Sequence, residues 1–146
     1  MTIRAYPTKR IIETIEGGLA RYMTNKIGAD SVKGSVIKIC CTNEDSVILC
    51  PTGDDCPSGI IYDNGVADGD LVLVVYAGIA EILVDNSTAV VCGYWAGTSD
   101  TTAGRAKVLS APPAPPADGR NQELGFFIES KNAGTDILAK TIIHFR

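Results

Sequence analysis

The sequence predicts an all-β protein, a small barrel with little helix. Two observations carry this expectation. Short apolar runs that alternate with a period of two follow one another from residue 35 onward, and each is closed by a cluster of Gly, Pro, Asn, Asp or Ser. A helical period shows in a single place, among Ile11, Ile12, Ile15, Leu19 and Met23, and the Gly17-Gly18 pair interrupts it at a cost of roughly 1 kcal/mol per glycine.

Taken in order, residues 1–30 form an N-terminal arm, read either as a segment that docks on a partner or as a terminal strand and loop folding back on its own domain. Residues 31–146 form one barrel domain. In "SVIKIC" the alternation puts Val36, Lys38 and Cys40 on one face and Ile37, Ile39 and Cys41 on the other. "SVILC" follows a "TNED" turn, so residues 35–50 predict a hairpin. "CPTGDDCP" is a rigid turn leading to the strand "GIIYD". "LVLVVY" and "IAEILVD" predict two strands joined by a tight turn, or one chain bent at Gly78. "AVVCGYW" predicts a further strand, "AGTSDTTAG" a mobile loop, and "RAKVLS" a brief strand. The four prolines of "APPAPPADGRNQ" lack the N–H groups a ladder needs, which places a Pro-rich surface loop at 111–119. "ELGFFIES", "GTDILAK" and "TIIHFR" close the domain, with Ile143 and Phe145 on one face and Ile142 and His144 on the other.

Length and composition bound the function. A chain of 146 residues with 45% hydrophobic and 21% charged residues is long enough for one compact domain with a hydrophobic core, and too short for two of ordinary size. A net charge of -4 with scattered basic residues offers no footprint for a nucleic-acid backbone. The apolar runs are broken by Gly78 and Glu81 and fall short of the ~20 residues of a membrane-spanning helix. The first ten residues lack the apolar segment of a signal peptide, and a soluble cytoplasmic product is expected.

Five cysteines invite a metal or disulfide reading. Cys50 and Cys56 are too far apart for a paired zinc motif, Cys40 and Cys41 point to opposite faces, and His144 is the sole histidine. A Cys50–Cys56 disulfide is feasible in geometry and disfavoured in a reducing compartment. Cys41 and Cys92 are expected to be small buried hydrophobes. The acidic residues Asp54, Asp55, Asp63, Asp68 and Asp70 lack calcium-loop spacing and suit turns. His144 has no nucleophile signature beside it, and no Gly-rich phosphate loop opens a helix. No catalytic residue, cofactor or metal is therefore assigned.

One ordered constellation is more specific. "SGIIYDNGVADGDLVLVVYAGIAEILVD", "GRAKVL", "LGFFIES" and "DILAKTIIHFR" place Gly59, Gly69-Asp70, Gly78-Ile79, Gly104-Arg105 and Leu124-Gly125 in sequence. Over residues 35–146 this order resembles the capsid decoration, or head-stabilising cement, proteins of tailed bacteriophages. The resemblance implies a β-tulip-like barrel and a non-enzymatic virion protein on the capsid exterior, made in the host cytoplasm. Its implied partners are the major capsid protein and itself, as a homotrimer. In such a barrel Gly69-Asp70 turns Leu71, Leu73 and Val75 inward, and Val72 and Val74 need cover on the other face, which a second subunit could supply. Family members use an N-terminal arm to reach across capsid subunits. Here that implies Thr2, Ile3, Arg4, Tyr6, Lys9, Arg10, Ile11, Ile12 and Tyr22 as capsid-contacting residues. Two other classes stay open: a β-barrel enzyme or ligand-binding module with its site in the barrel mouth near Asp54, Asp55 and Tyr62, and a tail or baseplate β-domain.

Overall fold

The computed structural model describes residues 10–53, 56–110 and 123–145. Among them no helix forms, and the chain folds into ten strands: β1 (Ile12–Glu13), β2 (Gly18–Asn25), β3 (Val36–Ile39), β4 (Ser46–Leu49), β5 (Gly59–Ile61), β6 (Leu71–Leu83), β7 (Trp95–Thr98), β8 (Ala106–Leu109), β9 (Glu123–Phe127) and β10 (Leu138–Ile143). The all-β expectation holds. The strands follow the order β1-β2-β4-β3-β5-β6-β10-β9-β7-β8, and β2 also pairs with β6.

That extra pairing closes β2, β4, β3, β5 and β6 into a ring. The remaining strands continue from β6 through β10, β9 and β7 to β8, and a parallel bridge between Val84 and Ala106 brings the last strand back to the end of the first. The molecule is thus two small rings that share β6. Arg105 holds the second closure: its guanidinium donates to the Val84 carbonyl and to Asn86 Oδ1, each at 2.9 Å, and pairs with Asp136.

The alternation of side chains explains how one strand serves both rings. Val72 and Val74 join Met23, Ile37, Val47 and Ile61 in a core that fills the first ring. Leu73 and Val75 point the other way, into the larger core with Val36, Ile60, Leu124, Phe127 and Ile143. Beyond the bend the same large core takes Ala80, Ile82 and Val84, so the parity has switched from odd to even. Tyr76 is the residue that switches it. Leu19 pairs with Ala77 and Ala20 with Val75, which leaves Tyr76 as an extra residue in a β-bulge. Gly78, two residues on, has φ +83, and a Cβ there would lie 2.5 Å from the Gly17 carbonyl oxygen.

Of the two readings of the N-terminal segment, residues 10–25 take the strand and loop folding back on the domain: β2 pairs with β6 from Gly18 to Thr24, and Ala20, Met23 and Asn25 are buried. Several other expectations change. The apolar spacing that mimicked a helix comes from a hairpin whose turn contains Gly17, with Gly18 N donating to Thr14 Oγ1 at 2.9 Å. Of the two readings of "LVLVVYAGIAEIL", the one found is a single strand bent at Gly78. Val72 and Val74 are covered by the chain's own β2, β3, β4 and β5, so they give no reason for a second subunit, and Leu71 is 39% exposed rather than inside. The strand expected in "AVVCGYW" starts only at Trp95, because Val90 makes an isolated bridge with Lys131 and the chain turns at Cys92-Gly93, where the Tyr94 N–H donates to the Val91 carbonyl. Ala96, Gly97 and Thr98, expected in a loop, belong to β7. Cys41 and Cys92 are exposed, and the buried cysteine is Cys50. The Pro-rich loop at 111–119 lies outside the described residues, as do Asp54 and Asp55.

Candidate interaction surface

Of the residues expected to contact a partner, Thr2, Ile3, Arg4, Tyr6 and Lys9 lie outside the described residues. The structure separates the other four. Arg10 is exposed and Ile11 is 63% exposed, whereas Ile12 and Tyr22 are half-buried and pack against the large core. The split follows from strand alternation: Ile12 faces Ala20 across the β1–β2 ladder and shares its inward face, and its neighbour Ile11 faces outward.

Ile11 borders the mouth of the first ring. A half-open cavity of about 490 Å3 lies there, lined by Ile11, Arg21, Met23, Ile39, Ser58, Val74 and Tyr76. Met23 and Val74 also belong to the ring's core, so the cavity floor continues into the packed interior. Alternation places these side chains: Arg21 and Met23 share one face of β2, and Ile39 lies on the face that Ile37 gives to the ring. The bulge adds Tyr76 to the lining. At the rim Arg21 pairs with Asp45 at 2.8 Å, and its buried Nε meets no acceptor among the described residues. Ile39 is 48% exposed and completes an apolar rim with Ile11.

A second surface spans the outer face of the other ring. Cross-strand pairing lines up Leu109, Trp95, Phe126, Ile142 and Ile79 in a row across β8, β7, β9, β10 and β6. Trp95 and Phe126 approach to 4.0 Å between ring centroids, and His144 stacks on Phe126 at 5.5 Å. His144 Nε2 also contacts the buried carboxylate of Glu123. This histidine anchors an aromatic cluster.

The chain matches no protein-family model and no curated protein. Its fold is similar to a solved structure, the head fiber gp8.5 N base in bacteriophage phi29. The two superpose with a TM-score of 0.50 over 86% of this chain and 92% of that one, at 14% sequence identity. At that identity the likeness is one of fold, and it spans both rings.

The remaining candidates sit elsewhere. Tyr62 is not at the mouth: it packs against the large core, with Lys33 Nζ 4.8 Å above its ring. Burial, reinforced by the negative charge of Glu16, raises its phenol above the ordinary range. At the β3–β4 turn the Cys40 thiol is lowered to about 7 by hydrogen bonds, the largest from the Thr42 side chain, then from the Thr42 main chain and from Asn43. Cys50 is buried while Cys56 is exposed, and neither is in a disulfide. Sequence reasoning missed Arg21, Ile39 and Tyr76 at the mouth. The signal for Tyr76 was its place two residues before Gly78, where a bulge would redirect it; nothing in the sequence joined it to Ile39.

Proposed function

We propose that this chain is a structural, non-catalytic protein of a phage head, bound to the outside of the expanded shell and stabilising it against internal pressure. The observation that carries the reading is the likeness of fold to a head fiber base along almost the whole of both chains. The ordered Gly-Asp, Gly-Ile and Leu-Gly steps of the sequence, which resemble capsid decoration proteins, agree with it.

In this reading the partner is the major capsid protein. The N-terminal residues Thr2, Ile3, Arg4, Tyr6, Lys9, Arg10 and Ile11 form the contact, and Ile12 and Tyr22 anchor that contact to the core. Each contact is modest, contributing about 25 cal/mol per Å2 of apolar area removed from water. Stability arises because many copies act on one lattice. A homotrimer belongs to the same proposal, and the apolar row from Leu109 to Ile142 offers a face for it. Light scattering on the purified chain measures that state.

The deciding experiment mixes purified protein with compact and expanded shells and sediments the particles. Binding to expanded shells alone is expected. Equal binding to both forms, or binding to neither, overturns the proposal.

A further inference from the structure

We infer that the second ring opens at its seam. The start of β8 parts from the end of β6 between Val84 and Ala106, with the Arg105 guanidinium as the latch, while the rest of the sheet stays paired. This opening does not depend on whether the chain sits on a phage head.

Four features mark the seam. The first is the thinness of the join. β6 meets β10 along a ladder from Gly78 to Leu83, whereas among the described residues it reaches β8 only through the pair Val84 and Ala106, with one main-chain bond from the Asp85 N–H to the Ala106 carbonyl at 2.9 Å. The second is that side chains do here what a ladder does elsewhere. Arg105 donates to the Val84 carbonyl and to Asn86 Oδ1, each at 2.9 Å, and pairs with Asp136, whose N–H donates to the same Asn86 oxygen. Asp136 is 65% exposed, and an ion pair with one partner in water is made and broken readily. The third is backbone strain. Ser87 and Asp136 have φ of 61 and 51, in the left-handed region, and both lie in the segments that Arg105 draws together. The fourth is free space. A half-open cavity of about 420 Å3 lies beside the seam, with Val32, Leu83, Arg105, Asp136 and Leu138 in its walls, so the Arg105 side chain can swing without displacing packed atoms. What opens is a way into the larger core, because Val84 and Ala106 are fully buried members of it.

Two neighbouring amides report on the seam. The Val84 N–H donates to the Ile137 carbonyl and reads the β10 side of the strand end, whereas the Asp85 N–H reads the β8 side. In hydrogen exchange followed by NMR on the full chain, Asp85 is expected to exchange at least about tenfold faster than Val84. Arg105→Met keeps the apolar stem and removes the latch. It is expected to speed Asp85 by about a further tenfold, the loss of one charge-assisted hydrogen bond, and to leave Val84, and the Lys26 N–H that bonds Val47 in the first ring, within about twofold of the parent chain. Asp136→Asn changes an exposed residue to one that tolerates the left-handed backbone, so the fold is kept, and a speeding of Asp85 by about threefold is expected. A dissolved paramagnetic agent is expected to broaden the Val84 and Ala106 methyl signals more in Arg105→Met than in the parent chain, which a lost hydrogen bond without opening would not do. Asp85 and Val84 exchanging at one rate in the parent chain overturns the inference. So does equal acceleration of Asp85, Val84 and Lys26, which would be a global loss of stability, and so does unchanged exchange at Asp85 in both variants, which would be a fixed closure.

Discussion

Asn25 illustrates how much one buried polar side chain can hold. It is fully buried at the end of β2, its Nδ2 donates to the carbonyls of Ala29 and Val66 at 3.0 and 2.9 Å, and its Oδ1 accepts from the Ile27 N–H at 2.9 Å. It ties the loop after β2 to the loop before β6. Asn25→Ala leaves these groups unmet, and a loss of about 3 kcal/mol is expected in urea unfolding; a loss under 1 kcal/mol would mean the network contributes little. Cys40 is a chemical counterpart. With its thiol lowered from 9.0 to about 7, it should be alkylated by iodoacetamide with a midpoint near pH 7, and Thr42→Val, which removes the largest cause, should move that midpoint upward. Between these values the unfolded chain binds more protons than the folded chain. The contribution to stability is therefore complete above pH 9.0 and lost as pH falls through about 7. A Thr42→Val midpoint equal to that of the parent chain counts against this assignment.

At the level of elements, β6 decides the architecture through a local defect. The bulge at Tyr76 and the left-handed Gly78 bend the strand and exchange its faces, so the large core takes Leu73 and Val75 before the bend and Ala80 and Ile82 after it. Gly78→Ala imposes a strained φ and sets a Cβ 2.5 Å from the Gly17 carbonyl oxygen, and a loss of about 3 kcal/mol or more is expected by thermal unfolding. Unchanged stability would mean that the bend tolerates a side chain. This element also marks how far the sequence could be read. The period-two faces of "TIIHFR" put Ile143 and Ile142 on opposite faces, and they are found at 4% and 46% exposure. Such strands announce themselves because one face meets a core and the other meets water. β2 was hidden because Arg21 and Tyr22 interrupt its alternation and because isoleucines from two hairpin arms fell at a helical spacing. Of the mouth only Ile11 was legible. The rest depends on pairing between strands distant in sequence, which no local pattern encodes.

For the molecule as a whole, the sharing of β6 has a thermodynamic consequence. Neither ring can close without it: β2 and β5 flank its first half, and β10 pairs with its second. Two cores supported on one strand should therefore melt as one unit, despite filling separate spaces. The single tryptophan, Trp95, lies on β7 in the second ring and reports that ring alone. Ile61 is fully buried in the core of the first ring and Ile82 in the larger core. Truncating either to alanine removes a large buried side chain, and a loss of about 2–5 kcal/mol is expected for each. The informative variant is Ile61→Ala, whose cavity lies in the first ring. If the rings are coupled through β6, its unfolding midpoint by Trp95 fluorescence falls as far as its midpoint by far-ultraviolet circular dichroism, in a single transition. If the fluorescence midpoint stays at the parent value while the dichroism midpoint falls, the rings unfold separately, and β6 is a hinge between two domains rather than the wall they share.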